Sequence, residues 1–292
     1  MPRRPLTLCL CALVALLVPA CVPSEAEEEE VADYGGDTTM GRLQREGTIT
    51  IALPDDLGPF SSVGDDGEPE GFVAELASEI VAALGVEVTY LPASGEEGLE
   101  LVRDGEADLA FPTVGITERL ARQNNFSGPY WVAHKRLLVP RDSRVELVED
   151  LDGAAVCQYE EERTGVDLSD VNAAIEITDT TDYRDCIDEL RAGGSDATSA
   201  ADIYLMALAD ELVDFEIRGE QLSTAGYGAA LPEGATDMTT FTNRVLTEAK
   251  SEGRWLEYYE RWLAPVANIE NASAPDLTLE EAATLWPRHL QE

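Results

Sequence analysis

The feature that most constrains the fold is an alternation of short apolar strand patterns with amphipathic helix patterns, which begins near residue 48. "TITIAL" is a β-branched run, "VEVTYL" is another, and between them "GFVAELASEIVAALG" places Phe72, Leu76, Ile80 and Leu84 on one helical face before a terminal glycine. Apolar residues spaced three or four apart indicate a helix, whereas short β-branched runs indicate strands. The alternation predicts an α/β fold with a mostly parallel sheet covered by helices.

The alternation of strand and helix patterns continues to residue 141 and then begins again in a second unit. "GEEGLELVRDG" predicts a helix, "ADLAF" a strand, and "RLLVPR" at 136–141 a strand that ends at Pro140. The second unit contains the strands "GAAVCQY", "AAIEIT" and "SDATS" and the helices "TDYRDCIDELRAGG" and "ADIYLMALADE". "VDFEI" and "GYGAALP" follow, with helices predicted at "MTTFTNRVLTEAKSEG" and "RWLEYYERWL" and a weak one near 280–285. The order predicts two α/β units with a late return segment.

The first 21 residues, "MPRRPLTLCLCALVALLVPAC", form an export signal pattern with a basic start and an apolar run of about 13 residues. A spanning helix needs about 20 such residues, so we predict no permanent membrane helix here. "LVPAC" resembles a bacterial lipobox, which predicts a lipidated Cys21; the alternative is an ordinary signal peptide with an incidental cysteine. We assign 1–20 to the signal peptide and 21–46 to a lipid-anchored acidic linker.

The charge balance excludes some functions. The chain has 58 acidic and 20 basic residues and a formal net charge of −38, with Lys135 and Lys250 as its two lysines. Such a surface repels nucleic acid and anionic lipid headgroups, because both need basic patches. The acidity is explained either by a salty habitat or by a cationic ligand. Of the five cysteines, Cys157 and Cys186 lie in the body of the chain and form one possible pair.

Several motifs resemble the solute-binding proteins of polar amino-acid ABC transporters, in order from about Gly47 to Leu263. They are "GTITIALPDDLGPFSSVGDDGEPEGFVAELASEIVAALG", "LVRDGEADLAF", "FSGPY" and "ELRAGGSDATSAADIYLMALA". The resemblance implies a two-lobed periplasmic-binding-protein fold of type II, with two crossing strands and a ligand cleft between the lobes. It implies lobe 1 at 47–137 plus 225–263, lobe 2 at 138–224 and a C-terminal tail at 264–292.

The resemblance also implies a disulfide. "VCQY" and "YRDCIDELRAGG" are similar to the subgroup related to glutamate-binding proteins, in which two cysteines in these places form a bridge in the second lobe. The alternative is a pair of buried thiols.

The implied ligand-binding residues lie in both lobes. They are Asp55, Phe60, Thr113, Gly115, Thr117, Arg119, Tyr159 and Asp202. The chain departs from the family at several of these positions: the carboxylate-clamp arginine aligns with Leu120, one residue after Arg119, and the amino-group aspartate aligns with Ala201. Glu160, Glu161 and Glu162 replace a Gly-Thr or Gly-Ser loop. Arg119 is either a clamp for a ligand carboxylate or a surface charge paired with Glu118 or Glu97, and Asp202 is either a ligand contact or a helix cap.

These features predict an exported, monomeric binding protein that delivers a small polar solute, an amino acid or a related amine or acid, to the permease of an ABC importer. We expect no catalytic residue, metal or cofactor, because the sequence lacks phosphate-loop, zinc and dinucleotide motifs and has two histidines, His134 and His289. The alternatives are an enzyme similar to cyclohexadienyl dehydratases, which share the fold and need a carboxylate acid in the cleft, and a sensory ligand-binding module.

Overall fold

The computed structural model describes residues 31–159, 168, 174–180, 182–209, 212–267 and 272–285, without the side chains of 220 and 221. The helices are α1 Thr39–Glu46, α2 Phe72–Leu84, α3 Glu97–Asp104, α4 Glu118–Gln123, α5 Tyr183–Ala192, α6 Asp202–Ala207, α7 Thr236–Ser251, α8 Arg254–Trp262, α9 Ala264–Ala267 and α10 Leu279–Thr284. The strands are β1 Thr48–Leu53, β2 Ser62–Val63, β3 Pro69–Glu70, β4 Glu87–Pro92, β5 Leu109–Ala110, β6 Asn125–Pro140, β7 Ala155–Tyr159, β8 Glu176–Thr180, β9 Ala197–Ala201 and β10 Phe215–Leu231.

Eight of these strands form one sheet in the order β4-β1-β5-β10-β6-β9-β7-β8. β1 pairs in parallel with β4 and β5, and β7 pairs in parallel with β8 and β9. β6 and β10 lie between these two sets and run antiparallel to each other and to the strands beside them. The sheet therefore contains two parallel sets joined by two long strands, which confirms the predicted α/β, two-lobed architecture.

The two joining strands are longer than the sequence pattern predicted. β6 covers 16 residues and β10 covers 17, so "VDFEI" and "GYGAALP" belong to one continuous strand. Their pairing shifts register between Arg218 and Ser223. A strand that passes from one apolar environment to another does not keep a simple alternation of apolar and polar residues along its length. The sequence pattern therefore predicted two separate segments where the structure has one strand.

Helix α2 matches the prediction from its apolar spacing. Phe72, Leu76, Ile80 and Leu84 are all buried. Gly85 ends the helix in the left-handed region at φ 65°, where its N–H donates to the carbonyl oxygens of Val81 and Ala82. Glycine adopts this conformation without steric cost, so the residue that ends the helix in the sequence also caps it in the structure.

Aromatic rings fill the core next to α2. Phe60 and Phe72 lie 5.9 Å apart, Trp131 contacts both at 5.5 Å, and Trp255 lies 5.3 Å from Phe72, all measured between ring centroids. The indole Nε1 of Trp255 donates to the carbonyl oxygen of Tyr130 at 2.8 Å. Helix α8 is therefore fixed to strand β6 both by ring packing and by a buried hydrogen bond.

The structure corrects the extent of the predicted linker, which ran to residue 46. Thr39–Glu46 forms helix α1, and the Thr38 hydroxyl accepts a hydrogen bond from the N–H of Gly41. Leu43 is fully buried in the core, and Thr39 donates through its N–H and hydroxyl to the carboxylate of Asp237 on α7. The buried side chains of Met40 and Leu43 and the capping Thr38 give this acidic stretch an ordered end, although its composition resembles that of a tether.

Two further predictions are confirmed. Cys157 on β7 and Cys186 on α5 form a disulfide, with 5.3 Å between their Cα atoms. The weak C-terminal helix is α10, whose Thr278 and Glu281 form a reciprocal capping box.

Across the described ranges, no helix is both long enough and apolar enough to cross a membrane. The predictions for the signal peptide, for Cys21 and for Glu160–Glu162 concern residues outside the described ranges.

Candidate ligand-binding cleft

The carboxyl ends of β1, β4 and β5 bring three loops together. Ser94 donates from its hydroxyl to the Asp56 carboxylate at 3.4 Å, and the N–H of Gly95 donates to the Thr113 hydroxyl at 3.4 Å. Parallel strands end at the same edge of a sheet, and ligands of open α/β sheets bind outside that edge. We call the surface formed by Asp56, Ser94, Gly95 and Thr113 the first edge.

The second parallel set has a corresponding edge. Tyr159 ends β7, and Tyr183 begins α5 just after β8. The Tyr183 hydroxyl donates to the backbone carbonyl oxygen of Asp56 at 3.1 Å. The two carboxyl edges therefore face each other and are in contact, which is the geometry of a cleft that closes around a small molecule.

Three tyrosine rings support the second edge. Tyr183 lies 4.7 Å from Tyr204 and 6.3 Å from Tyr159, and Tyr159 lies 5.5 Å from Tyr204, between ring centroids. Burial and then the nearby Asp56 charge raise the pKa of Tyr183 to about 12. The Tyr183 phenol is thus neutral at physiological pH and remains a hydrogen-bond donor.

Asp56 is the titratable group at this junction. Burial raises the pKa of its carboxyl, and so does the neighbouring Asp55 charge, whereas the Ser94 hydrogen bond and the more distant Arg184 oppose the rise. Asp55 and Asp56 both keep part of their surface exposed, so the desolvation of the Asp56 carboxyl is partial. Two adjacent carboxylates make this edge acidic, which favours a cationic group over a second anionic one.

The segment after β5 carries three of the predicted ligand-binding residues, and it begins at the first edge with Thr113. Thr113, Gly115 and Thr117 are all buried, and the N–H of Ile116 donates to the carbonyl oxygen of Gly226 on β10 at 2.9 Å. Thr117 caps helix α4, since its hydroxyl accepts from the N–H of Leu120 at 3.1 Å. The Thr117 hydroxyl oxygen therefore already has a structural partner, and ligand binding by these three residues remains a prediction.

Arg119 lies on the surface of α4 in this structure. Its guanidinium pairs with Glu96 at 3.2 Å and donates to the Gln123 side-chain oxygen at 3.4 Å, while 44% of the side chain is exposed. The partner is an acidic side chain, as in the surface-charge alternative, although it is Glu96 rather than Glu118 or Glu97. The role of Arg119 as a carboxylate clamp stays a prediction.

Three other predicted residues have clear positions. Phe60 is fully buried in the aromatic core described above, so its ring is not accessible in this conformation. Tyr159 is buried beside Tyr183 and Tyr204 on the second edge. Asp202 begins helix α6, and its Oδ2 accepts from the N–H of His134 on β6 at 3.2 Å.

Sequence reasoning missed Asp56, Ser94 and Tyr183, and it also missed Lys135. Lys135 is buried on β6 opposite Ala201 of β9, and its Nζ donates to the Gln158 side-chain oxygen at 3.3 Å. Lys135 is one of the two lysines of the chain, which was an available signal, but its place opposite Ala201 depends on the pairing of β6 with β9. Tyr183 gave no such signal, because its role depends on a contact with Asp56, 127 residues away in sequence.

The residues that the structure describes contain no group of three or more His, Cys, Asp or Glu side chains arranged to hold a metal ion. Burial raises the pKa of both Asp56 and Asp202. The chemistry that the first and second edges offer is hydrogen bonding and charge recognition of a polar molecule.

Known proteins are similar to this chain in sequence and in fold. The ABC transporter glutamine-binding protein GlnH of Bacillus subtilis (strain 168) is 24% identical over 266 residues, which are 89% of this chain and 97% of the relative. The L-cystine-binding protein TcyJ of Escherichia coli (strain K12) is 27% identical over 241 residues, 80% of this chain and 88% of the relative. A crystal structure of an ArgBP mutant from T. maritima superposes with a TM-score of 0.67 at 27% identity and covers 77% of this chain and 99% of that one.

The family assignment follows from the extent of the match as well as from the fold. Residues 49–265 match a single family model, and they contain all ten strands apart from Thr48, the first residue of β1, as well as the disulfide and both edges of the cleft. The chain belongs to the bacterial extracellular solute-binding proteins, family 3.

Proposed function

We propose that this solute-binding protein captures a small amino acid or related amine with at most one carboxylate and presents it to the permease of an ABC importer. The observation that carries the proposal is the contact of Tyr183 with Asp56, which brings the two carboxyl edges of the sheet against each other. Closure of two lobes around a solute hides it from water and creates a surface that differs from the open form.

The negative charge of the first edge supports the proposal that the ligand carries at most one carboxylate. Asp55 and Asp56 are adjacent there, and Glu96 neighbours Ser94 and Gly95 and already pairs with Arg119. Like charges about 4 Å apart repel by roughly 4 kcal/mol at an effective dielectric constant of 20. That repulsion lowers affinity by about a thousandfold, so a second ligand carboxylate is disfavoured.

The proposal includes attachment to a membrane surface through a lipidated Cys21, with the folded part outside the cytoplasm. The sequence pattern before Cys21 supports this, and so does the disulfide, which needs an oxidising compartment. A doubly acylated cysteine gives stable anchoring without a spanning helix.

A binding role without catalysis is the better-supported function. The relatives named above are binding proteins. A dehydratase needs a general acid that reaches the solute, and the first edge offers Asp56, whose carboxyl already accepts a hydrogen bond from Ser94. A test of whether the bound solute is chemically altered distinguishes the two functions, because an enzyme converts the solute and a binding protein releases it unchanged.

A thermal-shift screen across amino acids, amines and small acids tests the proposal. A solute present at 100 times its dissociation constant adds about 2.7 kcal/mol to the stability of the folded state. We expect stabilisation by a neutral or cationic amino acid, followed by recovery of that solute unchanged. Micromolar binding of glutamate or aspartate contradicts the charge argument, and a chemically altered solute contradicts the binding role.

A further inference from the structure

A second cavity, of about 710 Å³, lies where the C-terminal tail meets the crossing strands. It is lined by residues of β6 and β10, by the start of α6, by α8 and by the tail segment 272–277. We call it the tail cavity. Its lining includes none of the four residues of the first edge and does not include Tyr183, so it is separate from the candidate cleft.

Two opposite charges face this cavity without pairing. Asp202 uses Oδ2 to accept from the His134 N–H, whereas its Oδ1 is buried and has no hydrogen-bond partner. The side chain of Arg136, two residues along β6 from His134, forms no salt bridge or hydrogen bond with the residues that the structure describes, and its Nε is buried without a partner. Unpaired charges of this kind cost stability unless a further group satisfies them.

Two neutral polar groups at the same cavity are also unsatisfied. The indole Nε1 of Trp131 and the hydroxyl of Tyr259 are buried, and neither has a hydrogen-bond partner among the described residues. Trp131 is close enough to Asp202 to favour its charged form, but the two groups lack hydrogen-bond geometry. Native proteins leave few buried polar atoms unpaired, and four on residues that line one cavity indicate a missing partner.

The wall on the tail side lies outside the part of the chain that matches the family model. Residues 272–277 lie beyond 265, where the match to the family model ends. The Nζ of Lys250 holds this segment by donating to the carbonyl oxygen of Pro275 at 3.2 Å and to that of Pro129 on β6 at 2.6 Å. An extension fixed to a crossing strand by one lysine thus encloses the unpaired groups.

We propose that the tail cavity is a second binding site, which takes a zwitterionic small molecule carrying one carboxylate and one ammonium group. The carboxylate binds Arg136, with Trp131 Nε1 and the Tyr259 hydroxyl as further donors, and the ammonium binds Oδ1 of Asp202. A purely anionic molecule is repelled by Asp202 and by Asp276, which also lines the cavity. A purely cationic molecule leaves Arg136 unpaired, so only a molecule with both charges matches the pair.

Titration calorimetry on the full folded chain tests the second binding site with small probes that differ in the charged groups they carry. Glycine, β-alanine and γ-aminobutyrate carry both charges at increasing separation, whereas acetate and methylammonium carry one each. We expect at least one of the three amino acids to bind about tenfold more tightly than either single-charge probe. Equal or weaker binding of all three amino acids overturns the proposal.

Matched variants then locate the site. Arg136→Gln and Asp202→Asn are each expected to weaken binding of the preferred probe by about tenfold or more. Arg218→Gln removes an arginine that is paired with Glu146 and Glu216 away from the cavity, and it should leave binding unchanged. Unchanged binding in both cavity variants overturns the proposal.

A measurement on the unmodified chain covers the case in which a variant does not fold. In an NMR titration with the preferred probe, the indole N–H signals of Trp131 and Trp255 should shift, because both side chains line the cavity. A titration that shifts only the backbone N–H signals of Gly95 and Thr113 assigns the probe to the cleft and overturns the second site. The cleft proposal is unaffected by either result, since it rests on other residues.

Discussion

The phenol oxygen of Tyr183 lies 3.1 Å from the backbone carbonyl oxygen of Asp56, and this hydrogen bond joins the carboxyl edges of the two parallel strand sets. The acceptor is a main-chain atom, so the contact depends on where the loop after β1 runs and not on the side chain of Asp56. Tyr183 is itself held by its ring contacts with Tyr159 and Tyr204. The contact therefore reports directly on whether the two edges are together.

Tyr183→Phe removes this donor while keeping the ring. A hydrogen bond of this kind contributes about 0.5–1.5 kcal/mol, so we expect the affinity for the cleft solute to fall by about two- to tenfold. Calorimetry gives the affinity. Tyr34→Phe, which removes a hydroxyl that accepts from Arg244 on the surface, is the matched control. Equal affinities in the two variants mean that the contact does not help to hold the closed form.

Reduction of the Cys157–Cys186 disulfide should destabilise the chain. The two cysteines are 29 residues apart, and a loop of this length gives roughly 3–4 kcal/mol in the chain-entropy model. We expect the double variant Cys157→Ser, Cys186→Ser to lose that much unfolding free energy in denaturant titrations. Adding a reductant should lower the stability of the wild type and leave the double variant unaffected. A wild type that does not respond to reductant argues against a bridge in solution.

The lipid anchor is tested by Cys21→Ser, with Cys11→Ser as the matched control in the same leader. Lipidation at Cys21 predicts that the first variant leaves the membrane fraction and the second stays in it. Fractionation of cells followed by intact-mass measurement shows both the location and the acyl mass. Membrane association that persists in Cys21→Ser contradicts the lipobox prediction.

Arg119 can be classified by its effect on the solute that the thermal screen identifies. As a carboxylate clamp, it contributes a charge-assisted hydrogen bond of about 1.5–3 kcal/mol, so Arg119→Ala should weaken binding by about ten- to a hundredfold. Arg122→Ala on the same helix, where Arg122 pairs with Glu118, is the control. If both variants bind like the wild type, Arg119 is a surface charge that pairs with Glu96.

Asp202 should make stability depend on pH in a defined direction. Burial raises the pKa of its carboxyl from 3.8 to about 7, while Trp131, the His134 and Ile203 N–H groups and Arg136 limit the rise. Between these two values the folded chain holds a proton that the unfolded chain has lost, so this residue's contribution falls as pH rises from about 4 to about 7 and is level above that. The full shift corresponds to at most about 4 kcal/mol.

Denaturant titrations of Asp202→Asn across this pH window measure the effect. The wild type should lose stability relative to the variant as pH rises. Asp237→Asn is a control of opposite sign: burial raises the pKa of Asp237, but hydrogen bonds from Thr39 outweigh burial and lower it. Its contribution is present above the unfolded pKa and is lost as pH falls. A pH-independent difference between the wild type and Asp202→Asn contradicts the raised pKa.

Local patterns in the sequence were sufficient for the class of fold and for several of its elements, although they missed helix α1 and divided strand β10. The spacing of Phe72, Leu76 and Ile80 determined helix α2, and Gly85 determined its end, because both effects act within a few residues. The resemblance of "VCQY" and "YRDCIDELRAGG" to a disulfide-containing subgroup implied the bridge that the structure contains.

The functional geometry was decided by tertiary structure, because its contacts join residues that are far apart in the chain. Met40 and Leu43 ended the predicted tether earlier than composition indicated, since their buried side chains outweigh an acidic neighbourhood. Arg119 could be assigned from the sequence only as a clamp or a surface charge, and the position of Glu96, 23 residues away, decided its partner. The sequence left Asp202 as either a ligand contact or a helix cap, and the structure shows that its carboxylate accepts a hydrogen bond from the N–H of His134 on a crossing strand. Periodicity records which face of an element is buried; which loops meet at a sheet edge depends on strand order, and no local pattern contains that order.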